Sequence, residues 1–355
     1  MKLGHITRIK TGKLDANASS ENGRYPFFTC ARIPLKINRY AYDCECVLVA
    51  GNGDLNVKYY SGKFEAYQRT YIIEPLNKTQ LNTKYLFYFL SNYVHTLRTQ
   101  TTGGVIKFIK LGNLTNAPLS LPTPTEQKRI VAELDNIEEG IRVKQEQLKA
   151  LDELVQSRFT EMFGNIKTKD KISNLCLINP TKPKNIDDDL LVSFLPMSNV
   201  REQGNADLSI IRKYKEVKKG FTYFQDNDIL FAKITPCMEN GKGALVKNLK
   251  NHIGFGSTEF HVIRIQQSLV PRYLFTITQS KSFRSLAKEY MTGAVGQQRV
   301  PASFIENFSI PVPPLPLQNQ FAEFVQQVER AKEIVKIQIK DLQELLALKM
   351  DEYFQ

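Results

Sequence analysis

The chain has no apolar run approaching the ~18 residues that a membrane-spanning helix needs. Its opening stretch, MKLGHITRIKTGKLD, lacks the apolar core of a secretory signal. These absences lead us to expect a cytoplasmic protein with no membrane partner. Cysteine is scarce: Cys30, Cys44, Cys46, Cys176 and Cys237 are odd in number and scattered, which argues against a disulfide framework. The Cys44-Glu45-Cys46 pair has no second close Cys/His pair, and His5, His95, His252 and His261 are isolated. No metal site is therefore expected.

Catalytic motifs are missing as well. An adenine methyltransferase would need a polar-Pro-Pro-aromatic loop to hold its base, and the nearest match, Asn179-Pro180-Thr181-Lys182, lacks the second proline and the aromatic. The glycine turn Gly51-Asn52-Gly53 has no helical pattern after it. The pairs Gly12-Lys13, Gly62-Lys63 and Gly241-Lys242 lack the upstream glycine and the trailing Ser/Thr of a P-loop. No catalytic residue is expected in this chain.

What the chain has in excess is positive charge. Its 48 Lys and Arg against 36 Asp and Glu give +12 over 355 residues, which points to an anionic partner. The composition is otherwise that of a globular protein of about two domains.

An internal repeat organises the rest. Residues 122–164 align without a gap onto 313–355 at an offset of 191, with ten identical positions, among them Pro122/Pro313, Gln127/Gln318, Glu138/Glu329 and Phe163/Phe354. Each copy opens on proline punctuation, LPTPT and PVPPLPL, and then adopts heptad spacing. The seam of the first copy includes Ile130, Leu134, Ile137, Ile141, Leu148, Leu151 and Val155. That of the second includes Phe321, Val325, Val328, Val335, Ile339, Leu342 and Leu346. Seams this long predict two helices of ~57 Å pairing with each other as an antiparallel coiled coil rather than lying on a core. Antiparallel pairing would return Gln355 to the neighbourhood of Met1 and relate the two copies by a pseudo-twofold axis.

The charge divides along the same boundaries. Residues 1–121 carry +9 and 165–312 carry +8, whereas the helical segments 122–164 and 313–355 carry −3 and −2. Two basic heads separated by acidic rods suit heads that approach phosphate and rods that face protein. A membrane-surface protein would place Lys and Arg on its amphipathic helices instead.

The heads resemble each other faintly. The strands Val47–Ala50 and Ile229–Ala232 follow acidic residues and enter Gly/Asn loops. The expected helix cores Tyr85-Leu86-Phe87 and Tyr273-Leu274-Phe275 come next, followed by the loops Thr102-Gly103-Gly104-Val105 and Thr292-Gly293-Ala294-Val295. Each head therefore reads as α+β. Glycine loops admit close phosphate approach, and Asn, Gln, Arg and Lys carry the donors that read base edges. The candidate DNA contacts are Asn52, Lys58, Lys63, Arg69, Thr102 and Lys107 in the first head. In the second they are Lys233, Thr235, Asn240, Lys242, Gln297, Gln298 and Arg299, with Lys242 and Arg299 the strongest. The acidic run Asp187-Asp188-Asp189 is expected to be a solvated turn.

With these residues in view, the whole chain resembles the specificity subunit of type I restriction-modification enzymes. The resemblance rests on the duplicated layout, on the junctions LSLPTPTEQKRIVAELD and IPVPPLPLQNQFAEFV, on ITPCMENGKGA with the following GFGSTEF, and on VLVAGNGDLNVKYYSGKFEAYQ. It implies two target recognition domains, 1–121 and 165–312, and helical spacers 122–164 and 313–355. It also implies a non-catalytic DNA-reading subunit that assembles on double-stranded DNA with two modification (methyltransferase) and two restriction (motor-nuclease) subunits. S-adenosylmethionine, ATP and Mg would then belong to those partners, with no cofactor in this chain. Two different heads on a symmetric frame would read an asymmetric bipartite site whose spacing the helices set. The competing class is a bivalent nucleic-acid-binding scaffold outside restriction-modification.

Overall fold

A computed structural model of the chain describes residues 1–355 apart from Asn205, Gln267, Val295 and Gln355, with Gln203 described by its backbone alone. The expected return of Gln355 to Met1 and the tip residue Val295 thus lie outside the described residues. The chain divides into two compact units, Met1–Gln147 with Val335–Gln355, and Leu148–Ile334. Both are mixed α and β.

In the first unit, β1 (Thr7–Thr11), β2 (Tyr25–Phe28), β3 (Leu35–Ile37), β4 (Tyr42–Ala50), β5 (Val57–Ala66) and β6 (Thr70–Pro75) form one sheet of order β1-β6-β4-β5-β2-β3. Every pairing is antiparallel except β2 with β5. The run Cys46–Ala50 is continuously apolar because β4 is covered on both faces. Cys46 and Leu48 pack with Phe28, Phe64 and Ile72, while Val47 and Val49 pack with Tyr85, Leu86 and Leu90 of α1 (Thr83–Thr99). Asn82 caps α1 by accepting from the Lys84 and Tyr85 amides at 2.8 and 3.2 Å. The short α2 (Leu111–Thr115) leads into α3 (Pro124–Phe163).

The second unit repeats the scheme in smaller sheets. It contains β7 (Lys169–Lys171), α4 (Ile172–Leu175), β8 (Cys176–Ile178), β9 (Leu191–Leu195), β10 (Ile211–Lys213), α5 (Tyr214–Val217), β11 (Thr222–Gln225) and β12 (Ile229–Ala232). There follow β13 (Gly243–Leu245), β14 (Ile253–Gly256), β15 (Phe260–Ile265), α6 (Pro271–Gln279), α7 (Lys281–Glu289), α8 (Ala302–Asn307), β16 (Ser309–Pro311) and α9 (Leu315–Phe354). The sheet orders are β10-β9-β14-β11, β13-β12-β15-β8 and β16-β7. Strand β12 is again buried on both faces. Ile229 and Phe231 join the cluster of Tyr273, Leu274 and Phe283, and Leu230 and Ala232 join Phe260 and Val262.

The two 40-residue helices each contribute to both units. Within the first unit, Lys349 reaches Glu133 at 3.3 Å and the Tyr353 hydroxyl donates to Glu133 at 2.7 Å. Nearer the middle, a Cβ on Gly140 would lie 3.4 Å from Leu342. Within the second unit, Lys332 pairs with Asp152, and Phe321 lies 5.6 and 5.2 Å from Phe159 and Phe163. In each unit the helices are therefore antiparallel neighbours.

The seam residues do more than face the other helix. Ile130 and Leu134 sit in the core of the first unit beside α1, and Phe321, Val325 and Val328 sit in the core of the second. The expectation of helix pairing instead of packing on a core is corrected here. The N-terminal half of each helix leaves its own head directly, and burying each such side chain contributes about 1.5–3 kcal/mol whichever element covers it. Ile137, Val155 and Val335 are also buried, while Ile141, Leu148, Leu151, Ile339, Leu342 and Leu346 are half-buried.

Residues at the 191 offset perform equal tasks. The buried Gln127 accepts from the Asn82 amide at 2.8 Å and donates to the Gln80 and Pro122 carbonyls at 2.8 and 2.9 Å. Gln318 accepts from the Val270 amide at 2.8 Å and donates to Ser268 and Pro313 at 2.9 and 2.8 Å. Phe354 packs 5.2 Å from Tyr85 in the first unit, and Phe163 packs 4.9 Å from Tyr273 in the second. Each helix thus starts on one head and ends against the helix of the other.

Candidate nucleic-acid interface

In the first head three loops converge where β4 ends. The Gly51 amide donates to the Arg69 carbonyl at 2.8 Å, and the Ile109 amide donates to the Gly51 carbonyl at 2.9 Å. A Cβ on Gly51 would lie 2.4 Å from the Arg69 carbonyl oxygen, so glycine is required for this approach. The Gly53 amide donates to the Lys107 carbonyl at 3.0 Å, and Thr102 and Phe108 exchange two backbone bonds of 2.9 Å. This junction brings together Asn52, Arg69, Thr102 and Lys107. The Arg69 guanidinium lies 5.8 Å over the Phe108 ring.

The remaining two candidates lie on β5. Lys58 donates to Asn56, whose amide holds the Cys30 and Asp54 carbonyls at 2.8 Å each. Burial lowers its amine pKa. Beside it, Asp54 engages Arg32 at 2.7 Å and Arg98 at 3.5 Å. Lys63 pairs with Asp43 near the far end of the β4–β5 ladder, five residues and ~17 Å of strand from Lys58, and sits 4.8 Å over Tyr40.

The second head builds the same junction with other side chains. The Lys233 amide donates to the Glu259 carbonyl, and the Val300 amide donates to the Lys233 carbonyl, both at 2.9 Å. Thr292 and Arg299 exchange backbone bonds of 3.0 and 2.8 Å. Gly51, Arg69, Thr102, Phe108 and Ile109 thus correspond to Lys233, Glu259, Thr292, Arg299 and Val300. Arg299 forms a bidentate pair with Glu259 (2.8 and 2.9 Å) and donates to the Gln297 carbonyl at 3.0 Å. That pairing raises the Arg299 pKa and lowers that of Glu259.

Lys242 is turned inward, donating to the Met197 carbonyl at 3.2 Å. The Thr235 amide bonds the Gln298 carbonyl at 3.0 Å, so Thr235, Gln298 and Arg299 form one group with Lys233. Asn240 and Gln297 are exposed. The run Asp187–Asp189 is an exposed turn, but it holds Lys213, Lys215 and Lys218 at 2.8–3.0 Å. Hydrogen bonds from Lys215 and Lys213 pull the Asp189 pKa down to about 2.

Supporting residues escaped the sequence reading. His261 Nε2 donates to the Val300 carbonyl at 2.8 Å, and the Asn179 amide donates to His261 Nδ1 at 3.1 Å. In the first head the Tyr71 hydroxyl donates to the Ile109 carbonyl at 3.1 Å in the equivalent place. Arg284 is buried 4.9 Å over Phe231 and donates to the Met238 and Lys242 carbonyls at 2.6 and 3.3 Å. Burial lowers its pKa to about 10. Arg98 likewise donates to the Leu55 carbonyl at 3.0 Å. The available signal was Arg284 standing between the apolar Phe283 and Ala287, a cation on the covered face of an amphipathic helix. The arrangement is a hydrogen-bonded frame presenting loops. No cluster of His, Cys, Asp and Glu suited to a metal occurs among the described residues, nor any helix long and apolar enough to cross a membrane.

A family model described as the type I restriction modification DNA specificity domain matches residues 1–153 and again 164–344. The EcoDI type I specificity subunit of Escherichia coli is 38% identical over 156 residues, which is 44% of this chain and 34% of that protein. The EcoAI specificity subunit of the same organism is 37% identical over 201 residues, 56% of this chain and 33% of the relative. The matched stretches thus span about a third of these relatives. Among solved structures, the type I S subunit from M. genitalium aligns over 100% of this chain and 95% of its own, with a TM-score of 0.59 at 12% identity. A structure titled for complex assembly and conformational transition of the type I R-M system aligns over 100% and 97%, with a TM-score of 0.57 at 15% identity.

Proposed function

Because the chain belongs to the type I restriction-modification DNA specificity family, we propose that it is a non-catalytic subunit whose two heads each read one half of an asymmetric bipartite DNA site. The observation that carries this reading is the junction built twice, with one backbone scheme and different exposed side chains. The helices, pairing as a coiled coil, set the spacing between half-sites, and their acidic faces dock two modification subunits. Those subunits flip and methylate an adenine in each half-site, and two restriction subunits complete the enzyme. S-adenosylmethionine, ATP and Mg act in these partners.

The test is sequencing of methylated bases in a host carrying this chain with its modification subunits. One bipartite adenine motif is expected, and a methylome without such a motif would overturn the reading. Insertion of whole helical turns into the middle of α3 should lengthen the motif's spacer and leave both half-sites unchanged. An altered half-site with the spacer unchanged would count against the spacing role.

A further inference from the structure

The loop between Thr102 and Phe108 carries a feature that hydrogen-bonding readout does not use. Its tip places Val105 at 104% and Ile106 at 62% relative exposure, side by side. Single exposed apolar residues are ordinary, but these two are held out by construction. Thr102 and Phe108 clamp the base of the loop with two backbone bonds of 2.9 Å. Gly103 turns the chain at φ +111°, where a Cβ would lie 2.6 Å from the Ile106 carbonyl oxygen, and Gly104 has no neighbour within 4 Å of where its Cβ would be. The tip therefore stands away from the head's own core. Its base carries the exposed cations Arg69 and Lys107.

An apolar point with two cations at its base is poorly matched to an apolar protein groove. It is well matched to duplex DNA, which offers phosphates to the cations and a stack of bases to the point. Apolar side chains inserted between base steps unstack and kink the duplex.

We propose that Val105 and Ile106 form a wedge that enters a base step of the half-site read by the first head. The corresponding sequence in the second head, Gly293-Ala294-Val295-Gly296, offers one large apolar residue in place of two, so the distortion belongs to one half-site only. The proposal rests on the DNA-reading function above and names a mode of contact that the function does not require.

The experiment uses the full chain assembled with its modification subunits and a duplex bearing the motif found by methylome sequencing. Without such a motif the functional reading itself has failed, before the wedge is tested. With it, 2-aminopurine replaces each adenine on either strand of the two half-sites and their flanking steps except the methylated adenines, and separately those adenines. The wild-type complex should give a several-fold fluorescence rise at one step of one half-site. The double variant Val105→Ser, Ile106→Ser, altered only at exposed positions, should lose that rise and keep the signal of the flipped adenine. Four outcomes would overturn the proposal: no such rise in the wild type, its persistence in the variant, loss of both signals together, or failure of the variant to assemble with the modification subunits on gel filtration.

Discussion

The two heads hang their loops on one frame and fill it with different chemistry. Where the first head lays Arg69 over the uncharged Phe108, the second locks Arg299 into Glu259. Where Tyr71 holds the exit carbonyl in the first, His261 holds it in the second. Ahead of the central strand, Asp228 of the second head is 1% exposed in a bidentate pair with Arg264. Within β4 of the first head, Glu45 meets Lys78 with their side chains 30% and 56% exposed. The backbone scheme fixes where loops emerge, and the side chains that occupy it are free to differ. This separation of frame from content is what the proposed reading of two unlike half-sites requires.

The largest expected difference tests these two acids. Asp228→Ala leaves the Arg264 guanidinium without its partner in a largely buried position and should destabilise the second unit by about 3–5 kcal/mol. Glu45→Ala should cost the first unit about 1 kcal/mol or less, since solvent screens that pair. Hydrogen exchange followed separately in the sheets of the two units checks both. Equal losses would remove the contrast between buried and screened acids.

An intermediate effect tests the junctions. On the DNA-reading proposal, Arg69→Ala should weaken binding about tenfold and lower the salt slope by about one. Arg299→Ala should do less, because Glu259 already neutralises that guanidinium. Glu259→Gln should release Arg299 and raise both affinity and salt slope. Titrations of the assembled complex at several salt concentrations decide this, and an Arg299→Ala loss equal to that of Arg69→Ala would refute the asymmetry.

The mixed α+β class, the repeat and the long helices were legible because they are written in local pattern. Heptad spacing, proline punctuation and the ungapped offset of 191 all act within tens of residues. The continuous apolar runs at Val47–Ala50 and Ile229–Ala232 marked strands for the same reason. The order β1-β6-β4-β5-β2-β3 was not legible, since it depends on which distant strands meet. Within the junctions, composition pointed to loops but not to partners. Glu259 lies 40 residues from Arg299, and Met197 lies 45 from Lys242, and nothing local announces either contact. Conversely, Gln127 and Gln318 stood out as identities in the repeat, and the structure supplies their task.

The smallest expected effect separates His261 from Tyr71. Burial lowers the His261 pKa below its usual 6.5, opposed by its bond to Val300, while Lys233 lowers it further and Glu259 raises it. The unfolded chain therefore takes up a proton below about pH 6.5 that the folded head resists. Stability from this site is complete above that pH and declines as the pH falls below it. Glu259 does not share this window, because Arg299 holds its carboxyl below the usual 4.5. Exchange protection at residues 292–300, corrected for intrinsic rates, should be level above about pH 6.5 and decline toward pH 5. Protection at 102–109 should stay level throughout, since Tyr71 gains no proton there. His261→Tyr should give the second head the flat profile of the first. A slope that survives this substitution would place the pH sensitivity elsewhere.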